Sequence, residues 1–352
     1  MGGDTYPKFL AAAVQAAPVF LDRDATIEKA CKLIEEAASK GAELVVFPEV
    51  FVPAYPLWSF LFPPMDTHHF FRRLFENAVR VPSPQTEKLC EVARKCGVYV
   101  SIGINEKADQ SMGAIWNANL IIDRWGKIAL KHRKLVPTFA DKLSWANGDG
   151  SGLRVVPSDL GRLGALICGE NTNPLARFAL LAQGEQVHIS TYPPTFPFRR
   201  PGAKYNYDLG DAIRIRAGAH SFEGKVFTIV ASGALDKDAV SAVAGGDSVK
   251  EEFLLHSSKP ISVIINPNGE VVAGPLDTAE GMVIGEVDIS ESIEYKQIHD
   301  VVGYYNRFDV FSLRLNALHH QPIDIRLGGA VGEDKGAGEE ISEGTGGGAG
   351  SA

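Results

Sequence analysis

Three residues of the 352-residue chain have the types and settings that covalent hydrolysis requires. Glu49 follows Leu44-Val45-Val46-Phe47-Pro48, so a carboxylate sits where an apolar strand emerges. Lys134 lies in Lys131-His132-Arg133-Lys134-Leu135-Val136-Pro137-Thr138, just beyond a predicted hairpin strand. Cys168 ends the apolar run Leu163-Gly164-Ala165-Leu166-Ile167 and precedes Gly169-Glu170-Asn171, ahead of a predicted helix. Singly, each has a plainer reading. A strand-end glutamate is more often a cap or ion-pair partner, a basic cluster a solvated face, and such a cysteine is as often a buried hydrophobe. Jointly they supply a nucleophile, a base that takes and returns protons, and fixed positive charge for a developing anion. Lys134 and the dipole of the following helix favour the thiolate, whereas burial and Glu49 oppose it, and the sequence leaves the sum open. A Cys–His pairing is the rival arrangement, with His132, His188 and His220 as candidate partners.

The other cysteines carry no comparable context. Cys31, Cys90 and Cys96 fall within apolar-periodic helical stretches and read as buried small hydrophobes. No CxxC or Cys/His spacing indicates a disulfide framework or a metal site. The nucleophile-elbow, P-loop and HExxH signatures are absent.

The elements that must position these residues follow from periodicity and punctuation. Strands are predicted near 9–15, 43–47 and 98–104, with helices near 23–39 and 84–96 ended by Gly41 and Gly97. A hairpin spans 115–123 and 127–132 around Arg124-Trp125-Gly126. Short strands near 153–156 and 163–168 lead into a helix opened by Asn173-Pro174 and ended by Gly184. Then come a strand near 186–191, a helix near 209–223, a strand near 226–232 and a hairpin around Asn266-Pro267-Asn268-Gly269. Helices alternating with apolar strands indicate a layered α/β or mixed α+β domain over residues 1–327. The last 25 residues, Gly328 to Ala352, hold ten glycines, five acids and one lysine, and read as a disordered Gly/Glu-rich tail.

Composition excludes several classes. With 35 Lys+Arg against 43 Asp+Glu and no basic run, nucleic acid is not an expected partner. The apolar stretch Phe9 to Leu21 is interrupted by Gln15 and Pro18 and reads as a first strand rather than a signal-peptide core. Prolines 53, 56, 63 and 64 forbid a spanning helix in Val50 to Met65. A cytoplasmic protein with no membrane partner is expected.

At the three candidate residues the sequence resembles the nitrilase superfamily, and specifically its nitrilase branch. The stretches that carry the resemblance are Val14-Gln15-Ala16-Ala17-Pro18-Val19, Val46-Phe47-Pro48-Glu49, His132 to Thr138, Gly148-Asp149-Gly150-Ser151, and Gly164 to Pro174 through Cys168-Gly169-Glu170-Asn171. In order, they cover about residues 8–315. The resemblance implies a four-layer α-β-β-α sandwich, and homodimers that extend into larger homo-oligomers or spirals. It implies Glu49 as general base, Lys134 as stabiliser of the tetrahedral intermediate and Cys168 as nucleophile, with no metal or organic cofactor. Glu170, Asp141 and Gly169 fall at supporting positions.

Three departures from the branch's pattern stand out. Asp141 occupies the place of a glutamate, which withdraws the charge by about one methylene. Gly169 replaces a bulky tryptophan, which opens space beside the thiolate. Tyr304 and Phe308 stand where a histidine and a proline are common. The aromatic stretch with Tyr55, Trp58, Phe60 and Phe62, and the stretch Tyr192 to Phe198, can line an apolar pocket or pack a subunit interface. With Gly169 widening the site, aryl-substituted or other medium-sized nitriles are the expected substrates. Rival readings are an amidase or carbamoylase of the same superfamily, a cyanide hydratase that stops at the amide, and a non-catalytic assembly protein.

Overall fold

The computed structural model describes residues 6–197, 199, 202–320 and 323. Residues 6–319 form one compact unit, and His320 begins a second of which only His320 and Ile323 are described. The expected boundary at 327 and the 328–352 tail lie outside the described residues.

In chain order the first half holds β1 (Lys8–Gln15), α1 (Arg23–Ser39), β2 (Ala42–Val46), α2 (His68–Asn77), α3 (Pro84–Cys96), β3 (Tyr99–Lys107), β4 (Ile115–Ile122) and β5 (Ile128–Arg133). The second half holds β6 (Val156–Ser158), β7 (Gly161–Ile167), α4 (Pro174–Leu181), β8 (Val187–Tyr192), α5 (Leu209–Gly224), β9 (Phe227–Ser232), α6 (Lys237–Ala244) and α7 (Ser248–Leu255). It closes with β10 (Val263–Ile265), β11 (Val271–Ala273), β12 (Gly281–Asp288) and α8 (Glu291–Ile298).

These strands build two six-stranded mixed sheets, ordered β12-β1-β2-β3-β4-β5 and β11-β10-β9-β8-β7-β6. Period-two alternation sorts their side chains between layers. Phe9, Ala11 and Ala13 of β1 and Leu44 and Val46 of β2 meet Leu163, Ala165, Ile189 and Ile229 in the core between the sheets. The alternate residues Ala12, Val14 and Val45 turn outward onto Ile27, Ile34 and Leu89 of α1 and α3. On the far face, α5 packs Ile213 and Ala217 near Val230 and Tyr192, while α4 packs Ala176 and Leu180 on Leu166. The expected α-β-β-α sandwich is the observed fold.

Helix ends obey local chemistry. Ser83 caps α3 with reciprocal bonds to Thr86, Pro84 fills the first helical position, and Gly97 closes it in a left-handed conformation. Differences from the sequence reading are confined to a few elements. The short strand expected at 153–156 forms at Val156–Ser158 instead, pairing with Gly161–Leu163. β12, α2, α6, α7 and α8 were not predicted. β12 completes the first sheet by pairing antiparallel along all of β1. Cys31, Cys90 and Cys96 are half-buried, at the margin of the helix-facing core. No helix among the described residues is long and apolar enough to cross a membrane.

Candidate active site

The three candidate residues stand just past the C-terminal ends of three strands. Glu49 follows β2, Lys134 follows β5, and Cys168 follows β7. In open α/β sheets, ligands gather at the carboxyl ends of the strands.

Glu49 is seated by a close crossing of its own chain over β3. A side-chain carbon at Gly103 would lie 2.3 Å from the Pro48 carbonyl and the Val50 nitrogen, so glycine there lets the Glu49 segment lie flat on the sheet. The Asn105 amide donates to the carbonyls of Val52 and Ala54, tying the continuing chain down. Lys134 extends the hairpin by one residue, its N–H donating to Asn117 at 2.8 Å. Cys168 opens a one-turn helix, Cys168–Thr172. Val50, Phe139 and Cys168 adopt φ of 41°, 47° and 52°. A left-handed conformation costs a non-glycine residue roughly 1–2 kcal/mol, and such strain gathers where function requires a particular aim.

The polar groups then meet out of water. Lys134 Nζ lies 2.7 Å from Glu49 Oε1 and 3.8 Å from Asp141 Oδ2, with all three side chains buried. The Asn117 amide also donates to Glu49 Oε1, at 2.7 Å, which leaves Glu49 Oε2 buried and without a partner. Tyr55 donates to Asp141 Oδ1 at 2.6 Å. Asp141, although shorter than a glutamate, therefore still reaches the lysine.

Ionisation follows from this packing. Burial opposes the charge on Lys134, but Glu49 first, with Cys168 and Asp141, outweighs it and holds the amine above its ordinary range, as an ammonium. Burial, with the nearby Glu49 charge, pushes the Asp141 carboxyl up to about 7 against the pull of Lys134. The Cys168 thiol is pushed well up, first by burial and then by Glu49, with Lys134 and Arg216 opposing. The balance that the sequence left open thus falls on the side of the thiol, and attack by sulfur requires a base at hand.

The rival histidines are engaged elsewhere. His132 Nε2 pairs with Glu170 Oε2 at 2.8 Å, and His188 and His220 both pair with Glu185 at 2.7 Å. None bonds to Cys168. Glu170 is a clamp between the lysine and cysteine segments: besides His132 it accepts from the Leu135 N–H at 2.8 Å and the Ile167 N–H at 3.0 Å. These donors, His132 above all, overcome the burial penalty and hold its carboxyl below the usual range.

Of the remaining expected residues, Tyr192 is fully buried in the apolar cluster that includes Cys168. Gly169 faces Thr138 and otherwise open space: a side-chain carbon there would sit 3.1 Å from Thr138 Oγ1 and meet nothing else within 4 Å. Trp58 is not brought to the site. It stacks on Phe70 at 5.0 Å and meets Phe20 edge-on, as a core aromatic. Its place is taken by Phe60, which packs on Tyr55, Phe139 and Phe196 and borders a cavity of about 870 Å³ that also touches Ala140. Tyr304 and Phe308 are exposed, and Phe308 borders a second cavity against α4.

Sequence reasoning missed Asn117 and Arg216. Asn117 pairs in register with Asn105 across β3 and β4, and an asparagine inside an apolar strand was the available signal. Arg216 lies on α5, donates to Thr172 at 2.7 Å and stabilises the Cys168 thiolate; a helical arginine gives no such signal.

A four-layer sandwich that gathers carboxylate, ammonium and thiol at its strand ends has the frame of a carbon–nitrogen hydrolase. The carbon-nitrogen hydrolase family profile matches residues 10–297, and the chain belongs to that family and is an enzyme of that kind. It is similar to a nitrilase of Paraburkholderia phymatum, 36% identical over 313 residues that cover 89% of this chain and 88% of that one. A protein named nitrilase 3, from an unknown prokaryotic organism, is 37% identical over 310 residues, 87% of this chain and 89% of the relative. The crystal structure of Saccharomyces cerevisiae Nit3, a member of branch 10 of the nitrilase superfamily, shares the fold. Its TM-score is 0.63 at 20% identity, over 85% of this chain and 96% of that one.

Proposed function

We propose that the protein is a nitrilase that converts an organic nitrile and two waters to a carboxylic acid and ammonia through an intermediate bound to Cys168. The observation that carries this reading is the buried Glu49–Lys134 pair, 2.7 Å apart, with Glu49 Oε2 left without a partner and the Glu49 charge acting on a thiol that burial keeps protonated. Glu49 takes the Cys168 proton, sulfur attacks the nitrile carbon, and the proton passes to the nitrogen to give a thioimidate. Glu49 then takes a proton from water, whose oxygen adds to the same carbon. The nitrogen is protonated and leaves as ammonia, and a thioester remains. A second water, activated in the same way, releases the acid, and the proton returns to sulfur.

Lys134 and the Gly169 N–H stabilise the anion at each addition, the fixed-donor effect that contributes most in acyl transfer. The same side chain thus does acid and base work in turn, while Lys134 stays charged throughout. Asp141, held by Tyr55, steadies the lysine from its other side. Phe60, Phe139 and Phe196 beside Tyr55 favour aryl-substituted or other medium-sized nitriles. Exposed Leu175, Phe308 and Phe311, which line one cavity, supply apolar surface for a homodimer, and a species no larger than one chain by size-exclusion chromatography contradicts that assembly.

The test of the reaction is ammonia and product release from aliphatic, aryl and arylacetonitriles, with matching amides and cyanide alongside, for wild type and Cys168→Ala. Acid and ammonia from nitriles, lost in the variant, are expected. Turnover of amides alone, or turnover retained in the variant, overturns the reading.

A further inference from the structure

The reaction leaves unused a buried polar chain beneath the nucleophile. It runs from His220 on α5 through Glu185, which precedes β8, to His188 on β8 and Asn171 in the turn after β7, and all four side chains are buried. Glu185 Oε2 lies 2.7 Å from His220 Nε2, and its Oε1 lies 2.7 Å from His188 Nδ1. His188 Nε2 lies 2.8 Å from Asn171 Oδ1. The Asn171 amide donates to the backbone carbonyls of Cys168 at 3.0 Å and Leu166 at 3.2 Å. The strand beneath is shaped for this: a side-chain carbon at Gly164 of β7 would lie 1.9 Å from Glu185 Oε1, so glycine there makes room for the carboxylate.

Hydrogen-bond logic fixes the protons. Carbonyls only accept, so the Asn171 end that faces Cys168 and Leu166 is its NH2, and the end that faces His188 is oxygen. That oxygen also only accepts, so His188 Nε2 carries a hydrogen. Burial disfavours the Glu185 charge, but the two histidines outweigh it and bring the carboxyl down to about 2. His220, lowered to about 4 first by burial and then by His188, is neutral and donates through Nε2, which leaves its Nδ1 without a partner.

We propose that Glu185, His188 and Asn171 are positioning residues of the nucleophile: His188, held from behind by Glu185, anchors the Asn171 amide, and Asn171 fixes the Cys168–Gly169 peptide. In a trans peptide the C=O and N–H point in opposite directions. With the Cys168 carbonyl drawn to Asn171, the Gly169 N–H is turned the other way, where it serves the developing anion. The same bond holds Cys168 in its left-handed conformation, with φ of 52°. The proposal rests on the reading of Cys168 as nucleophile.

The test compares wild type, Asn171→Leu and Glu185→Gln for kcat, KM, melting and the rate at which iodoacetamide alkylates Cys168. Misplacement of a reacting group by about 1 Å lowers rates about 100-fold. Asn171→Leu should lose about that much kcat with KM changed less than about threefold, with a smaller loss in Glu185→Gln, because aim and not substrate binding is altered. Folded variants that keep wild-type kcat overturn the proposal. Should neither variant fold, neutron diffraction of deuterium-exchanged wild type decides: a deuteron on His188 Nε2 and Asn171 deuterons directed at the Cys168 carbonyl are expected, and an Asn171 amide turned the other way overturns it. Wild type that keeps its turnover after Cys168 is alkylated refutes the nucleophile reading instead, which separates the two failures.

Discussion

Replacing Asp141 with asparagine should remove a pH dependence of stability. Burial is the main reason that the Asp141 carboxyl is raised from an ordinary 3.8 to about 7. The native state therefore keeps this proton in a range where the unfolded chain has released it. It binds more protons there, so stability falls as pH rises from the unfolded value through the native one. Across the whole window, roughly 3 pH units at about 1.4 kcal/mol each correspond to about 4 kcal/mol. Between about pH 5 and about pH 8 the linkage leaves roughly 2–3 kcal/mol, because part of the loss lies lower.

Asparagine keeps an acceptor for Tyr55, 2.6 Å away in the wild type, and does not titrate. The attraction of the Asp141 charge to Lys134, at 3.8 Å, is already contained in the native carboxyl's pKa and disappears together with the titration. Urea unfolding of both proteins at the two pH values isolates the effect, since every other titrating group cancels in the difference. Asp141→Asn should gain roughly 2–3 kcal/mol on the wild type between about pH 5 and about pH 8. Parallel pH dependence in the two proteins would mean that Asp141 is ionised throughout, and the burial argument would be refuted.

Glu49→Gln keeps an acceptor for Asn117 and Lys134 but removes the base, so steady-state ammonia release should fall by roughly 10²–10⁴ with the fold retained; circular dichroism and unfolding check the fold. Glu170→Gln cannot accept from His132, Leu135 and Ile167 together, since its amide presents N–H to one of these donors. It should lower stability by about 1–3 kcal/mol in urea unfolding. Gly169→Trp pushes on Thr138 and fills the open space beside the nucleophile. Its kcat/KM ratio for small aliphatic over aryl nitriles should rise at least about tenfold, and an unchanged ratio would place the substrate elsewhere.

Most of the sandwich was legible in the sequence because its strands read as short apolar runs and its helices carry their own punctuation. Ser83, Pro84 and Gly97 mark α3 at both ends without reference to anything distant. β12 was not legible: Gly281 and Gly285 interrupt its alternation, and Gly285 is required by packing, since a side-chain carbon there would lie 2.8 Å from Ala273. That constraint is tertiary and leaves no local trace. α6 and α7 do carry signals, Asp236 and Asp247 as caps and Gly245 as a stop, but their short lengths give periodicity little to work on.

At the candidate site, Glu49, Lys134 and Cys168 stood out because residue type and strand-end position coincide. Which histidine pairs with which acid could not. Glu170 lies 38 residues from His132 and Glu185 lies 35 from His220, and only the folded sheets bring them together. Trp58 was misread for a related reason, since an aromatic run does not say which ring turns to the pocket and which to the core.

The most direct test of the account is mass spectrometry of wild-type enzyme quenched in acid during turnover of an aryl nitrile. An acyl or imidoyl adduct is expected on the peptide that contains Cys168, with Cys31, Cys90 and Cys96 unmodified. Continued turnover with no adduct on Cys168 would contradict it.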